Sequence, residues 1–301
     1  MRATDWLLLV FLSVLWGATF FFAALALQGL PPLTLVLVRV ALAALILMPL
    51  VAAFGHGIPV TFAAWRPFAV LAVLNNVIPF TLIFYGQTRI ASGLASVLNA
   101  TTPLFTLVIA RVFAGEQLAA NKIAGVLLGI AGVGVLMGPA AFDANASSVI
   151  GMLCVLGGAM SYGFSALWMR RLRRVPPLVS AGAQLTCSAV VLLPIAGFVD
   201  RFWLLPAPNA SVVAAVIGLA AISTALAYIV FFRISATAGP SNVMLVTLLI
   251  PVTATALGVL ILDETLTTNQ ITGALVIASG LVIIDGRLLA WAARSVGWVE
   301  R

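Results

Sequence analysis

Charge is what this chain has least of: only 8% of its 301 residues are Asp, Glu, Lys or Arg, and eight of those are acidic. Histidine occurs once, as His56, and cysteine twice, as Cys154 and Cys187. The single histidine sits in "FGHGIP", between apolar runs, so a buried serine–histidine pair cannot be assembled. No HExxH or other cluster with metal-ligand spacing is present. Enzymatic activity, a bound metal and a cofactor are therefore not expected. Both cysteines fall inside apolar runs, where they read as packing residues and not as a disulfide or redox pair. Acids are missing from mid-run positions as well. Asp5 and Asp285 lie near the ends of runs, and Asp143, Asp200 and Asp263 lie between them. Obligatory proton coupling normally needs a titrating group at depth, so the pattern disfavours it.

What fills the chain instead is apolar: 63% of residues are hydrophobic and the mean hydropathy is +1.22. That composition belongs to a membrane protein. A hydrocarbon layer about 30 Å thick needs roughly 20 apolar residues per helix. Ten segments qualify, at about Asp5–Leu27, Pro32–Phe54, Pro67–Tyr85, Ala91–Phe113, Leu118–Met137, Val149–Trp168, Pro177–Phe198, Ser211–Phe232, Ser241–Leu262 and Thr268–Leu289. Stretches such as "VALAALILMPLVAAF" are apolar on every side, which excludes the alternating strands of a membrane barrel. The expected fold is an all-α integral membrane protein of ten transmembrane helices. The first segment ends in Ala24-Leu25-Ala26, like a cleavable signal, but its basic start is Arg2 alone and nine spans follow, so cleavage is not expected.

The net charge of +7 does not call for nucleic acid. With the N-terminus in the cytoplasm, that side holds Arg2, Arg66, Arg111, Lys122, Arg170, Arg171, Arg173, Arg174, Arg233, Arg287, Arg294 and Arg301, and the other side Arg89 and Arg201. Twelve against two is the positive-inside bias, with both termini cytoplasmic. "RRLRRVPP" is the strongest orientation signal, and anionic membrane lipid is a lesser use for it.

A repeat organises the chain. "TTPLFTLVIARVFAGEQL" and "LIPVTATALGVLILDETL" share Pro, twelve residues, then Glu-x-Leu; Pro103 and Pro251, Glu116 and Glu264, Asn121 and Asn269, and Gly125 and Gly273 are all 148 residues apart. Five spans separate the copies, so they sit in opposite orientations. Two inverted five-helix repeats are expected, at 1–140 and 141–301. Such repeats are the architecture of carriers that rock about a midplane site; a duplication retained only for packing is the alternative.

Pro103 and Pro251 lie deep in spans four and nine, and Pro79 in span three, where each removes a ladder hydrogen bond and supplies a hinge. The freed carbonyls need partners from protein or trapped water. Thr101 and Thr102 before Pro103, and Thr247, Thr253 and Thr255 around Pro251, either provide them or face a cavity. Glu116 and Glu264 precede spans five and ten and read as helix caps or interface anchors, ahead of any role as coupling carboxylates. Arg39, deep in span two, either anchors neighbouring polar groups or binds a carboxylate, with the structural role preferred. Asn75, Asn76, Asn99, Ser223 and Thr224 are buried polar groups that need partners. Trp16 is deep enough to reach a central site, whereas Trp168 beside the arginines also suits an interfacial belt. Gly129, Gly132, Gly157, Gly158, Gly273 and Gly280 permit close helix packing.

"VLWGATFF", Arg39, "TTPLF" with "GEQL", and "LIPV" with "DETL" resemble, in their order along nearly the whole chain, the EamA branch of the drug/metabolite transporter superfamily. The resemblance implies ten helices, export of small metabolites across the bacterial inner membrane, and a cavity lined by helices one, three, four, six, eight and nine. Trp16, Asn75, Asn76, Asn99, Thr101, Trp168, Tyr228 and Thr247 lie on those helices and are the expected substrate-binding residues. Amides, hydroxyls and aromatics suit neutral amino acids, handled by a monomer. Drug or other metabolite efflux, and a passive pore, are the alternatives.

Overall fold

A hydrocarbon layer offers no water to backbone carbonyls and amides, so a chain this apolar has to satisfy them internally. The computed structural model describes residues 3–57, 61–137, 147–238, 243 and 245–286, and among them the regular structure is helical without a strand. The expected span limits at Ser241 and Leu289, and Arg2, Asp143, Arg287, Arg294 and Arg301, lie outside the described residues.

The helices are α1 (Ala3–Ala26), α2 (Pro32–Ala53), α3 (Phe62–Gln87), α4 (Ser92–Ala114), α5 (Ala120–Met137), α6 (Ser147–Leu172), α7 (Pro177–Asp200), α8 (Ala210–Ser235), α9 (Val246–Ile261) and α10 (Thr268–Asp285). All except α9 are long and apolar enough to cross a bilayer, which makes nine among the described residues. At 16 residues, α9 measures about 24 Å at a rise of 1.5 Å per residue. The start of α3 lies five residues before the expected Pro67, because the Thr61 side chain accepts a hydrogen bond from Ala64 N and begins the helix ahead of the proline.

Three helices carry irregular backbone, and the sequence explains how each is tolerated. In α3 the π-helical turn Val73–Val77 precedes Pro79. The missing proline N–H would have served Leu74 in that wider turn, and the Leu74 carbonyl instead accepts from Ser161 Oγ at 2.7 Å. In α4 the helix is interrupted at Ala100 and Thr101, just before Pro103. The carbonyl freed by Pro103 is that of Asn99, which accepts from Thr102 Oγ1 at 2.7 Å, while Thr101 Oγ1 donates to Leu98 O at 2.6 Å. In α8 a π-helical stretch, Gly218–Leu226, is stitched by Thr224 Oγ1 donating to Leu219 O at 2.8 Å. Pro251 differs from Pro103 in lying within unbroken helix.

Packing follows a regular scheme. α5 lies along α10 and α2 along α7; α1 contacts α8 and α9, and α6 contacts α3 and α4. Small residues allow the closest of these approaches. A Cβ built on Gly125 would stand 2.6 Å from Gly280 O, and one on Gly280 would stand 2.7 Å from Gly125 O. Gly132 likewise faces Gly273 O, Gly158 faces Pro79 O and Ile83, and Gly17 packs on Thr253. Where association has no hydrophobic drive, such backbone proximity is what holds helices together.

The ends of the helices correct one expectation. Glu264 does cap a helix, but not α10, whose start is closed by a capping box of Thr267 and Gln270. Its carboxylate accepts from Ser92 N at 2.7 Å and Gly93 N at 3.0 Å, the first residues of α4. Glu116 pairs with Arg170. Asp200, from the end of α7, similarly accepts from Thr34 N and Oγ1 at 2.8 and 2.7 Å near the start of α2. Glu264 and Asp200 therefore bind the positive helix ends that lie near them in space, whichever helix follows in the chain.

Candidate functional site

The two π-helical turns bring most of the buried polar side chains together. A π-turn adds a residue to the turn, rotating the side chains beyond it and frequently marking function. In α3 it presents Asn75 and Asn76. Asn75 Nδ2 donates to Gln184 Oε1 at 3.0 Å, and its Oδ1 accepts from Ser165 Oγ at 2.8 Å. Asn76 Nδ2 donates to Ser188 Oγ at 2.9 Å, while its Oδ1 is buried without a partner among the described residues. The partners come in pairs four residues apart, Ser161 with Ser165 on α6 and Gln184 with Ser188 on α7, so each pair occupies one helix face.

In α8 the matching turn presents Ser223 and Thr224, which follow Asn75 and Asn76 by 148 residues. Thr224 Oγ1 accepts from Arg39 Nε at 3.1 Å, and Ser223 Oγ is buried without a partner among the described residues. Arg39 is 5% exposed. Its guanidinium lies 3.9 Å from the centre of the Phe80 ring and 5.6 Å from that of Phe84, with Tyr162 and Tyr228 within electrostatic reach. Tyr228 also lies within interaction reach of Asn75, which brings the α3 and α8 turns near one another.

Aromatic rings frame this polar set. Phe80 meets Tyr162 edge-on at 6.5 Å, and Trp16 meets Phe231, three residues beyond Tyr228, at 5.5 Å. Of the expected site residues, Asn75 and Asn76 share the α3 turn, Tyr228 lies within reach of Asn75, and Trp16 approaches from α1 through Phe231. Thr101 spends its hydroxyl on the α4 break. Asn99 sits one turn before Pro103 with its side-chain oxygen buried and unpartnered among the described residues. Thr247 lies in the first turn of α9, half-buried. Trp168 stands apart: its Nε1 donates to Pro67 O at 2.9 Å, Arg171 lies 4.3 Å over its ring, and it lines a small hollow of about 200 Å³ with Leu74 and Phe164. A larger groove of about 450 Å³ lies elsewhere, between α2, α7 and residues 202–208, and its lining is almost wholly apolar.

Residues the sequence reading passed over are Gln184, Ser188, Ser161, Ser165, Tyr162 and Phe80. One signal pointed to the first. Pro31-Pro32-Leu33 and Pro49 recur 145 residues later as Pro176-Pro177-Leu178 and Pro194, and the same step carries Arg39 to Gln184. Chemically, the set can bind and orient a small polar molecule with an apolar side; no nucleophile–base pair or cluster of metal ligands occurs among the described residues.

The model of the EamA-like transporter family matches residues 4–138 and again 149–285. The chain is 28% identical to the uncharacterized transporter YvbV of Bacillus subtilis, covering 98% of this chain and 96% of that one. It is 28% identical to the uncharacterized inner membrane transporter YedA of Escherichia coli K12, over 91% and 88% of the two chains. It is 27% identical to a probable amino-acid metabolite efflux pump of Salmonella typhimurium, over 94% and 95%. A crystal structure at 22% identity superposes with a TM-score of 0.66 over 97% of this chain and 99% of the other, a likeness of fold.

Proposed function

The chain belongs to the EamA-like transporter family, and from that premise we propose that it exports small neutral metabolites, amino acids first among them, by alternating access. The observation that carries this reading is the buried polar set joining α2, α3, α6, α7 and α8, which is uncharged apart from Arg39 and framed by aromatic rings. Amides and hydroxyls fix a zwitterion's orientation, and rings accept an apolar side chain. A relative of similar length is named as a probable amino-acid metabolite efflux pump. The proposed cavity residues are Trp16, Asn75, Asn76, Asn99, Thr101, Trp168, Tyr228 and Thr247, with Pro79, Pro103 and Pro251 as hinges.

The proposal includes ten spans in two inverted repeats, 1–140 and 141–301. Two matches of one family model support it. So does the packing scheme, which is unchanged when each of the first five helices is exchanged with its counterpart: α1 with α9 becomes α6 with α4, and α2 with α8 becomes α7 with α3. A two-fold axis in the membrane plane produces such an exchange. The twelve-to-two distribution of basic residues supports cytoplasmic termini, and the name of YedA supports the bacterial inner membrane. Among the described residues the acids stand at helix ends or in the turns between them, so the substrate's own gradient drives transport without a buried proton carrier. The protein acts as a monomer in a lipid bilayer.

Uptake of labelled threonine, methionine, phenylalanine and lysine into proteoliposomes, with and without an imposed proton gradient, tests the proposal. Saturable uptake of neutral members that ignores the gradient is expected. Failure of all four would redirect the substrate to drugs or other metabolites, uptake without saturation would indicate a pore, and a gradient requirement would remove the uncoupled mechanism.

A further inference from the structure

Arg39 is the cation that the polar set does not neutralise. A charge carried into a membrane protein's interior is costly unless paired, hydrated or held by strong hydrogen bonds. Among the described residues no carboxylate pairs with it. Its partners are one hydroxyl, Thr224 Oγ1 at 3.1 Å from Nε, and the faces of Phe80 and Phe84. A guanidinium carries five N–H donors, and Nε accounts for one. The four on the two Nη atoms have no protein acceptor among the described residues.

We propose that Arg39 is the anchor for the substrate's carboxylate. The proposal rests on the transport reading above and narrows its substrates to monocarboxylates carrying an apolar group. Thr224 holds Nε and the Phe80 ring supports the plane of the guanidinium, leaving the terminal Nη1–Nη2 edge to receive two carboxylate oxygens side by side, the arrangement arginine favours. Phe80, over whose ring the guanidinium lies, and Tyr162, packed edge-on against Phe80, offer aromatic surface for the apolar portion. At the position 145 residues on, Gln184 bonds Asn75 and brings no charge. The site therefore offers a single cation, matched to a single carboxylate, and a doubly charged phosphate would leave one charge unanswered.

Thermal-shift titration of the purified full-length protein tests this, using phenylalanine, methionine, their carboxamides and 3-phenylpropionate as probes on the wild type, Arg39→Lys and Arg39→Gln. A charge-assisted bidentate contact predicts about 10- to 100-fold tighter binding of each acid than of its carboxamide. Arg39→Lys keeps a reduced preference for the acids, and Arg39→Gln abolishes it. A merely structural arginine would lower the melting temperature without altering that ratio. Equal binding of acids and carboxamides by the wild type overturns the inference and leaves the transport reading intact. So does an Arg39→Gln variant that keeps the acid preference. If 3-phenylpropionate binds and the amino acids do not, the carboxylate anchor holds and the amino-acid reading falls. Binding of no acid at all overturns the anchor, and the uptake panel then judges transport separately. Should Arg39→Gln fail to fold, the wild-type ratio and Arg39→Lys still decide.

Discussion

At the end of α4, the N–H of Glu116 reaches back to Ala110 O over Gly115, which has a φ of 66°; at the end of α9, the N–H of Glu264 reaches back to Gly258 O over Asp263, which has a φ of 54°. Both bonds reach back six positions across a left-handed residue at a helix end, and they lie 148 residues apart. Glycine supplies that conformation without strain, and aspartate is among the few other residues that tolerate it. The backbones match, but the carboxylates do not: Glu264 binds the start of α4, and Glu116 binds Arg170. The two π-turns repeat the lesson, with Asn76 joined to a serine and Thr224 to an arginine. Equivalent positions share a backbone device, while the side chain placed on it is free to differ, and the candidate site is built from those differences.

The largest effect should come where the two halves are most alike. Gly125→Val and Gly280→Val each drive side-chain atoms into the opposite helix's carbonyl, less than 3 Å from an added Cβ. Overpacking of this kind costs about 1–3 kcal/mol or more, and the two variants should lose the same amount in thermal unfolding in detergent. A large inequality would mean that α5 and α10 do not share the contact evenly.

Matched substitutions at the π-turns should be unequal. Thr224→Val removes the acceptor for a buried cation, a loss of about 1.5–3 kcal/mol, whereas Asn76→Ala removes a neutral bond worth about 1 kcal/mol. Thr224→Val should also loosen Arg39 and weaken binding of acids relative to carboxamides, which Asn76→Ala should leave unchanged. Comparable melting temperatures and comparable ligand ratios for the two variants would erase the distinction.

Helix positions and close glycine contacts could be read from the sequence, because hydropathy and small side chains act locally. The π-turns could not. An inserted residue leaves an apolar stretch equally apolar, and only Pro79 hinted at the break in α3. Gln184, Ser161, Ser165 and Ser188 were scattered polar residues in apolar helices, and their four-residue spacing gains meaning only once the faces they occupy meet Asn75 and Asn76. Arg39 was visible as an unusual charge, but its partners on α3 and α8 depend on how distant helices pack. Glu264 fails for the same reason: sequence reports which helix comes next, not which helix end lies closest.

The smallest effects should separate the two glutamates. Glu264→Ala leaves the N–H groups of Ser92 and Gly93 without their acceptor, and loss of a cap typically costs about 1 kcal/mol. Glu116→Gln removes a surface pair of the kind that contributes little. Its signature lies in pH. The hydrogen bond from Arg170 lowers the Glu116 carboxyl below its usual value of 4.5. A depressed folded-state value makes the contribution fully present above 4.5, lost as pH falls through the lower folded value. Wild type and Glu116→Gln should therefore keep a constant small difference in melting temperature from pH 7 to pH 5.5, and converge in acid below the ordinary carboxylate range. A difference already fading between pH 7 and pH 5.5 would show that the Arg170 pair is not what holds Glu116 ionised, and its contrast with Glu264 would have to rest on another contact.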